Sequence, residues 1–137
     1  MSAIDPSLDS RLQHLKAVRL SLLRLHKALL DSERKAYEQI HGQIQGQGEL
    51  FRLVLDDEWF SWLRPISQFI VQVDEAFAAK EPMNATQASE FLSQARLLLR
   101  PSTEGTVSEQ RYYHAIQRDP DIALMNADLS KLFAAKV

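Results

Sequence analysis

Cysteine is absent from this 137-residue chain, glycine and proline are scarce, and no apolar stretch is long. Without cysteine the protein has no disulfides, no thiolate zinc site and no cysteine nucleophile. Residues 1–15 interleave acidic and basic side chains with leucines, which excludes the apolar core of a signal peptide. None of its segments approaches the roughly 18 apolar residues that span a bilayer. We therefore expect a cytoplasmic protein.

Low glycine content and low net charge narrow the classes of function. Four glycines leave little material for a phosphate-binding loop, and the P-loop, G-x-G-x-x-G, H-E-x-x-H and G-x-S-x-G motifs are absent. A net charge of −2 provides no whole-molecule attraction for nucleic acid or an anionic membrane. We therefore expect no cofactor, no catalytic residue set and no membrane partner.

The chain does contain the composition and the periodicity of a helical domain. Its apolar fraction is 45% and its charged fraction is 25%, which are values typical of globular proteins. No run of alternating β-branched residues predicts a strand, and no linker divides the chain. Residues 1–137 are therefore predicted to form one all-α domain.

A first long helix is predicted from residue 6 to about residue 41. Pro6 suits a first helical turn, and Asp5 suits the capping position before it. The core stripe of this helix repeats every seven residues, through Leu8, Leu15, Leu22, Leu29 and Ala36. Three glycines within residues 42–48 then predict a turn, because each costs a helix interior about 1 kcal/mol relative to alanine.

A second helix is predicted over residues 49–80. Its apolar seam steps alternately by four and three residues, which is the pattern of left-handed helix packing. The seam consists of Leu55, Trp59, Trp62, Ile66, Phe69, Val73 and Ala76. Pro65 removes one backbone hydrogen bond, but the seam keeps its phase across it. A single helix kinked at Pro65 is therefore expected.

The C-terminal half predicts a third helix and a broken fourth one. Asn84 or Thr86 can cap the third helix, which Pro101 ends. A short helix follows, and a final helix opens where Asp119 can act as a cap and Pro120 as a first-turn residue. The predicted fold is an antiparallel up-and-down four-helix bundle whose last helix is broken near Pro120.

The first two predicted helices carry opposite charge. Residues 11–35 hold seven lysines and arginines against two acids, a net of +5, whereas residues 49–90 hold three against eight, a net of −5. Antiparallel neighbours would bring these faces together, so pairing within the chain is the favoured interpretation. Nucleic-acid binding is a lesser alternative, and it requires an uncovered basic ridge of Lys16, Lys27 and Arg34.

Three polar residues fall inside the apolar arc of the first helix, seven positions apart: Arg19, His26 and Glu33. Two helical turns separate successive members by roughly 10 Å, so each needs a partner from a facing helix or from a ligand. One interpretation is a polar pocket, with His41 and Tyr113 as further ligand-binding candidates. The other places the three residues at the edge of the stripe, paired with acids of the second helix. The pocket would make the protein a small-molecule or metal-binding bundle, a class that includes enzymes.

Glu38 and His41 form an E-x-x-H pair, the spacing of di-iron ligands in ferritin-like bundles. Such a site needs a second copy of the motif on a facing helix, and the chain has none. We therefore predict no metal site. A looser site that combines His41 or His26 with carboxylates of the second helix stays an alternative.

A second apolar strip on the second predicted helix indicates an interface. Leu53, Phe60 and Val71 lie away from the seam, which holds Trp59 and Trp62. A helix needs two apolar sides when it is central in the monomer or when it meets a partner. The favoured function is therefore non-enzymatic: self-association, as a homodimer or larger oligomer, or binding of a protein partner.

One segment resembles known proteins. The sequence GELFRLVLDDEWFSWLRPISQFIVQVDE, within the stretch from His41 to Glu75, is similar to a segment of small bacterial all-helical proteins of unknown function. The stretch covers about a quarter of the chain. The resemblance implies a bacterial cytosolic setting, and it implies no activity, cofactor or site residue.

Overall fold

A computed structural model of the protein describes residues 6–135, and every regular element within that range is a helix. These helices are α1 (Pro6–His41), α2 (Gly46–Asp56), α3 (Glu58–Ser61), α4 (Arg64–Ala78), α5 (Ala85–Leu98), α6 (Val107–Arg118) and α7 (Pro120–Ala134). The prediction of an all-α protein is confirmed. None of the seven is both long and apolar enough to cross a lipid bilayer. Asp5, the predicted cap of α1, lies outside the described range.

α1 is the central element, and α3, α4, α5, α6 and α7 all contact it. Its buried stripe advances by three and four residues in turn, which keeps one line of the helix facing its neighbours. The fully buried members are Leu15, Val18, Leu22, Leu25 and Leu29. Residues 6–41 are helical throughout, as predicted, and the predicted end near residue 41 is confirmed. A helix of 36 residues extends for about 54 Å, so different neighbours cover different parts of it.

The predicted second helix is three helices, α2, α3 and α4, so the expectation of a single helix kinked at Pro65 is wrong. The first break is at Asp57, whose backbone is extended and whose Oδ1 accepts a 2.8 Å hydrogen bond from the Trp59 N–H. The second break precedes α4. Pro65 lies in the first turn of α4, where a backbone N–H has no partner within the helix, so the missing N–H of proline costs no hydrogen bond. The breaks explain why the seam fails at Leu55, which is 52% exposed, yet is buried again at Trp62.

Two contacts show the direction of α3 and α4 relative to α1. The Trp59 indole N–H donates to the Glu33 carbonyl oxygen at 3.2 Å. Arg19 donates to both carboxylate oxygens of Asp74, at 2.8 and 2.9 Å. Because residue numbers rise along α1 as they fall along its neighbours, α3 and α4 run antiparallel to it. In the described residues, Arg19–Asp74 is also the one ion pair that joins the basic and acidic segments of the sequence.

Two glycines shape the turn between α1 and α2. Gly42 and Gly46 have positive φ values of 87° and 84°, a conformation that strains other residues. Between them, the Ile44 N–H donates a 2.8 Å hydrogen bond to a Glu38 carboxylate oxygen, and the Ile44 side chain is buried. The turn is therefore held to α1 at its centre, and a glycine at each end adopts the positive φ that the turn requires.

The C-terminal helices begin at side-chain caps. Asn84 and Thr106 each form a capping box with the residue three positions later. Asp119 accepts a 3.0 Å hydrogen bond from the Asp121 N–H, and Pro120 lies in the first turn of α7. Helix α6 ends one residue before Asp119, so the interruption lies where the sequence places it.

Candidate association surface

Glu33 is the most buried charged residue in the described part of the chain, with 1% of its surface exposed. Its two carboxylate oxygens each accept from an arginine of α6, one from Arg111 at 2.7 Å and the other from Arg118 at 3.0 Å. Arg118 also donates to the hydroxyl of Ser32, from Nε at 3.0 Å and from Nη2 at 2.9 Å. A buried carboxylate is tolerated only with such partners, so these contacts hold α6 against α1.

Trp59 completes the surroundings of Glu33 from α3. Arg111 donates to the Trp59 carbonyl oxygen at 3.0 Å, and its guanidinium carbon lies 4.8 Å from the indole ring centre. Tyr37 and His41 meet the same indole edge to face, with ring centres 5.7 and 6.0 Å away. We call the polar part of this arrangement the Glu33 cluster, which comprises Ser32, Glu33, Trp59, Arg111 and Arg118.

The Glu33 cluster is satisfied internally, which limits what it can do chemically. Both carboxylate oxygens of Glu33 already accept from arginine, and the side chain is shut off from solvent. A general acid or base must reach a substrate proton, which Glu33 does not. Within residues 6–135, no group of histidine and acidic side chains is arranged to hold a metal ion. The cluster therefore joins α1, α3 and α6.

The predicted ligand-binding residues lie at separate places. Arg19 pairs with an acid of α4, and this hydrogen bond raises the pKa of its guanidinium. His26 is half-buried in α1, and burial lowers the pKa of its imidazole. Tyr113 is half-buried in α6, with its ring against the neighbouring histidine. The structure brings Glu33 and His41 to the same indole and leaves the other three apart.

The basic ridge that nucleic-acid binding requires is partly occupied by contacts within the chain. Lys16 places its ammonium nitrogen 5.4 Å from the ring centre of Phe77. Arg34 lies 3.6 Å from a Glu38 carboxylate oxygen. In the described residues, Lys27 is the one member of the predicted ridge without an ionic or aromatic partner. The ridge is therefore a weaker cationic surface than the sequence alone indicates.

The predicted interface residues do not form one exposed strip. Phe60 is fully buried in the core, 5.7 Å from the Tyr37 ring centre. This corrects the placement of Phe60 on a partner surface, and the reason is that α3 starts anew at Asp57 and directs Phe60 inward. Leu53 is half-buried against the core, whereas Val71 is 52% exposed on α4. Of the three, Val71 alone is open to a partner.

Helix α2 is the one helix within residues 6–135 that has no buried residue. Five of its eleven residues are nevertheless apolar: Leu50, Phe51, Leu53, Val54 and Leu55. Phe51 is 66% exposed and Leu55 is 52% exposed. Residues four apart share one face of a helix, so these two side chains form a single outward-facing apolar patch. The patch has no cover in the monomer.

A groove of about 550 Å³ lies on the outer face of α1, between α2 and α7. Its lining comprises Arg24, Lys27, Ala28, Leu30, Asp31, Arg34, Leu50 and Met125. The apolar lining comes from all three helices, whereas the charged lining comes from α1 alone. Leu20 and Leu23 continue the same face of α1 towards its N-terminus and are both exposed. We call the exposed side chains Leu20, Leu23, Arg24, Lys27, Phe51 and Leu55 the association surface.

Sequence reasoning missed most of this surface, although a signal is present. Leu20, Leu23 and Lys27 recur at helical spacing on the side of α1 opposite its buried stripe. Leucines on the outer side of an amphipathic helix indicate a second partner. Phe51 lies four residues before Leu55 and therefore shares its helix face. The prediction of a continuous helix over residues 49–80 places Leu55, and with it this face, in the core.

Comparison with protein-family models, curated proteins and solved structures gives no significant match for this chain.

Proposed function

We propose that the protein acts by association rather than by catalysis, and that a second copy of the chain is its first partner. The observation that carries this proposal is α2, a helix with five apolar residues and none buried. Helices of this kind are stabilised by packing, and a monomer that leaves one uncovered presents a contact surface. In this proposal the protein is a cytosolic up-and-down four-helix bundle, in which α2–α4 together take the place of one helix and α6–α7 take the place of another.

The expected strength of self-association follows from the exposed side chains. Burying a fully exposed Phe or Leu contributes about 1.5–3 kcal/mol. Phe51 and Leu55 are roughly half-exposed, and a two-fold dimer buries each of them twice, so together they contribute about 3–6 kcal/mol. That gain is comparable to the low end of the association cost, about 4–15 kcal/mol. A micromolar dissociation constant would need a net gain of about 8 kcal/mol, so the other side chains of the association surface must contribute as well. Association is therefore expected to be weak and reversible.

Light scattering coupled to size-exclusion chromatography tests the proposal. Over roughly 1–500 µM, the apparent mass is expected to rise from the monomer value of 15.6 kDa towards twice that value. The variant Phe51→Ser/Leu55→Ser should stay near the monomer mass. Leu97→Ser, on α5, is the matched control, because Leu97 is as exposed as Phe51 and lies outside the association surface. A wild-type protein that remains monomeric over the whole concentration range would contradict the proposal.

A second candidate function is the binding of a small amphiphile in the groove. Its volume of about 550 Å³ lies within the range of ligand pockets, and apolar walls with basic side chains suit a long-chain carboxylate. This site differs from the predicted pocket, since none of Arg19, His26, Glu33 or His41 lines it. A fluorescent fatty acid should bind the wild type and lose affinity for Leu50→Asp. Binding that persists in Leu50→Asp would remove this candidate.

A further inference from the structure

The opposite charges of the first two sequence segments are left largely unpaired within one chain. Antiparallel packing of α4 on α1 yields the single ion pair Arg19–Asp74 between those segments, within the described residues. Of the three cations that line the groove, Arg34 pairs with Glu38, whereas Arg24 and Lys27 are exposed and make no ion pair within the described residues. The same holds for the exposed acids Asp56 and Glu58. Two complementary surfaces therefore remain open on the monomer.

The first of these surfaces is the outer face of α1, from residue 20 to residue 34. It combines two exposed leucines, Leu20 and Leu23, with two exposed cations against the single exposed anion Asp31. A third cation of this stretch, Arg34, pairs with Glu38. Glu33 belongs to the same stretch of sequence but is buried and paired with two arginines, so it contributes nothing to this face. The face extends for about 21 Å along the helix.

The second surface is the outer side of α2 with the start of α3. It presents Phe51 and Leu55, and its residues 49–58 hold four acids against the single cation Arg52. Helix α2 extends for about 16 Å, so it fits within the length of the α1 face. Apolar side chains are thus present on both surfaces, and the charge of one is opposite to that of the other.

We propose that two copies of the chain pair reciprocally, with α2 and the start of α3 of each copy lying along the outer face of α1 of the other. This rests on the proposed function of self-association and specifies its geometry. A two-fold dimer requires that both halves of the contact belong to one continuous patch on each monomer. The groove provides that continuity, because Leu50 of α2 and Leu30 of α1 line it together. Arg24 and Lys27 of each copy then face Asp56 and Glu58 of the other.

Charge reversal on one surface at a time tests the pairing. One variant is Arg24→Glu/Lys27→Glu, and the other is Asp56→Lys/Glu58→Lys. In either homodimer, like charges would oppose each other twice, and we expect the dissociation constant to rise about tenfold or more. In an equimolar mixture, the reversed α1 face of one variant meets the reversed α2 surface of the other, and the two unaltered surfaces meet each other. A heterodimer should therefore form with near wild-type affinity. Analytical ultracentrifugation with one variant labelled measures both quantities.

Every outcome of this experiment decides the geometry. Weak self-association of each variant, with affinity restored on mixing, supports reciprocal pairing. Variants that dimerise alone as the wild type does would overturn it and leave self-association standing through another surface. A mixture that stays as weak as its components would also overturn it. A wild type that is monomeric throughout removes the proposed function as well. Circular dichroism and thermal midpoints equal to those of the wild type verify that the exposed substitutions leave the fold intact.

Discussion

The Glu33 cluster and α2 are opposite in character. In the cluster, the Glu33 side chain is 1% exposed and its carboxylate meets two arginines, while the Trp59 indole donates to the Glu33 backbone carbonyl. In α2, an apolar patch faces solvent and no residue is buried. The boundary between them is Asp57, which caps α3 and ends the continuity of the seam. One capping residue thus separates a part of the chain that completes its contacts internally from a part that does not.

Because the two regions differ in burial, we expect the packed region to determine the stability of the monomer and the exposed region to determine its association. Side chains whose contacts are complete within the monomer contribute to its free energy of unfolding, and their loss is costly. Side chains left open contribute little to the monomer and much to contacts with other molecules. Equal substitutions in the two regions should therefore have unequal effects on unfolding.

The largest difference is expected between two phenylalanines. Phe60→Ala removes a fully buried ring and should lower the free energy of unfolding by about 3–5 kcal/mol. Phe51→Ala removes a ring that is 66% exposed and should change it by less than about 0.5 kcal/mol. Urea denaturation at low micromolar protein concentration measures both. Similar losses at the two sites would contradict the division of the molecule into packed and open regions.

A smaller difference is expected between two glutamates. Glu33→Gln keeps the shape but leaves Arg111 and Arg118 facing a neutral amide, which should cost about 2 kcal/mol. Glu49 accepts a hydrogen bond from the Gln45 N–H at the exposed start of α2, so Glu49→Gln should cost about 0.5 kcal/mol. Thermal and urea unfolding compare the pair. A Glu33→Gln protein as stable as the wild type would show that the cluster adds no stability.

Two glycines, one in the turn before α2 and one in the first turn of α2, should respond to alanine with opposite signs. Gly42 has a φ of 87°, so Gly42→Ala should cost about 1 kcal/mol through backbone strain. Gly48 lies in the first turn of α2, where an added Cβ meets nothing within 4 Å, so Gly48→Ala should stabilise by about 0.5 kcal/mol. The same sign for both would mean that α2 and its turn are not held as the structure shows. Denaturation midpoints suffice for this comparison.

The smallest effect is a pH dependence that belongs to the packed region. Burial lowers the pKa of His26 below its ordinary value of 6.5, so the unfolded chain binds a proton at a pH where the folded chain does not. The stability that neutral His26 contributes is therefore present above pH 6.5 and is lost as the pH falls through its folded pKa. His26→Gln should flatten the difference in urea midpoint between about pH 7.5 and about pH 5.5. His14 carries a shift in the same direction, from burial and from Arg96, so part of the difference should persist.

Local patterns in the sequence predicted α1, the turn after it and the helix start at Pro120, because the residues that decide these features are neighbours in the chain. The second helix was predicted as continuous, because its apolar seam keeps the phase across Asp57 as well as across Pro65. Periodicity reports which residues could share a face, and it does not report whether the backbone between them stays helical. For the same reason, Phe60 was predicted on a partner surface and Phe51 was not assigned to one.

The sequence alone indicates that this chain is helical, that its longest helix ends near residue 41, and that a buried Glu33 needs a partner from a facing helix or from a ligand. Those are consequences of local propensity and of the cost of burying a charge, and neither depends on how the helices are arranged. The identity of the partners of Glu33 depends on the tertiary packing, since Arg111 and Arg118 lie more than 75 positions away along the chain. The packing also leaves α2 uncovered, because the exposure of a helix depends on which other helices pack against it. The association surface is therefore a property of the packed molecule.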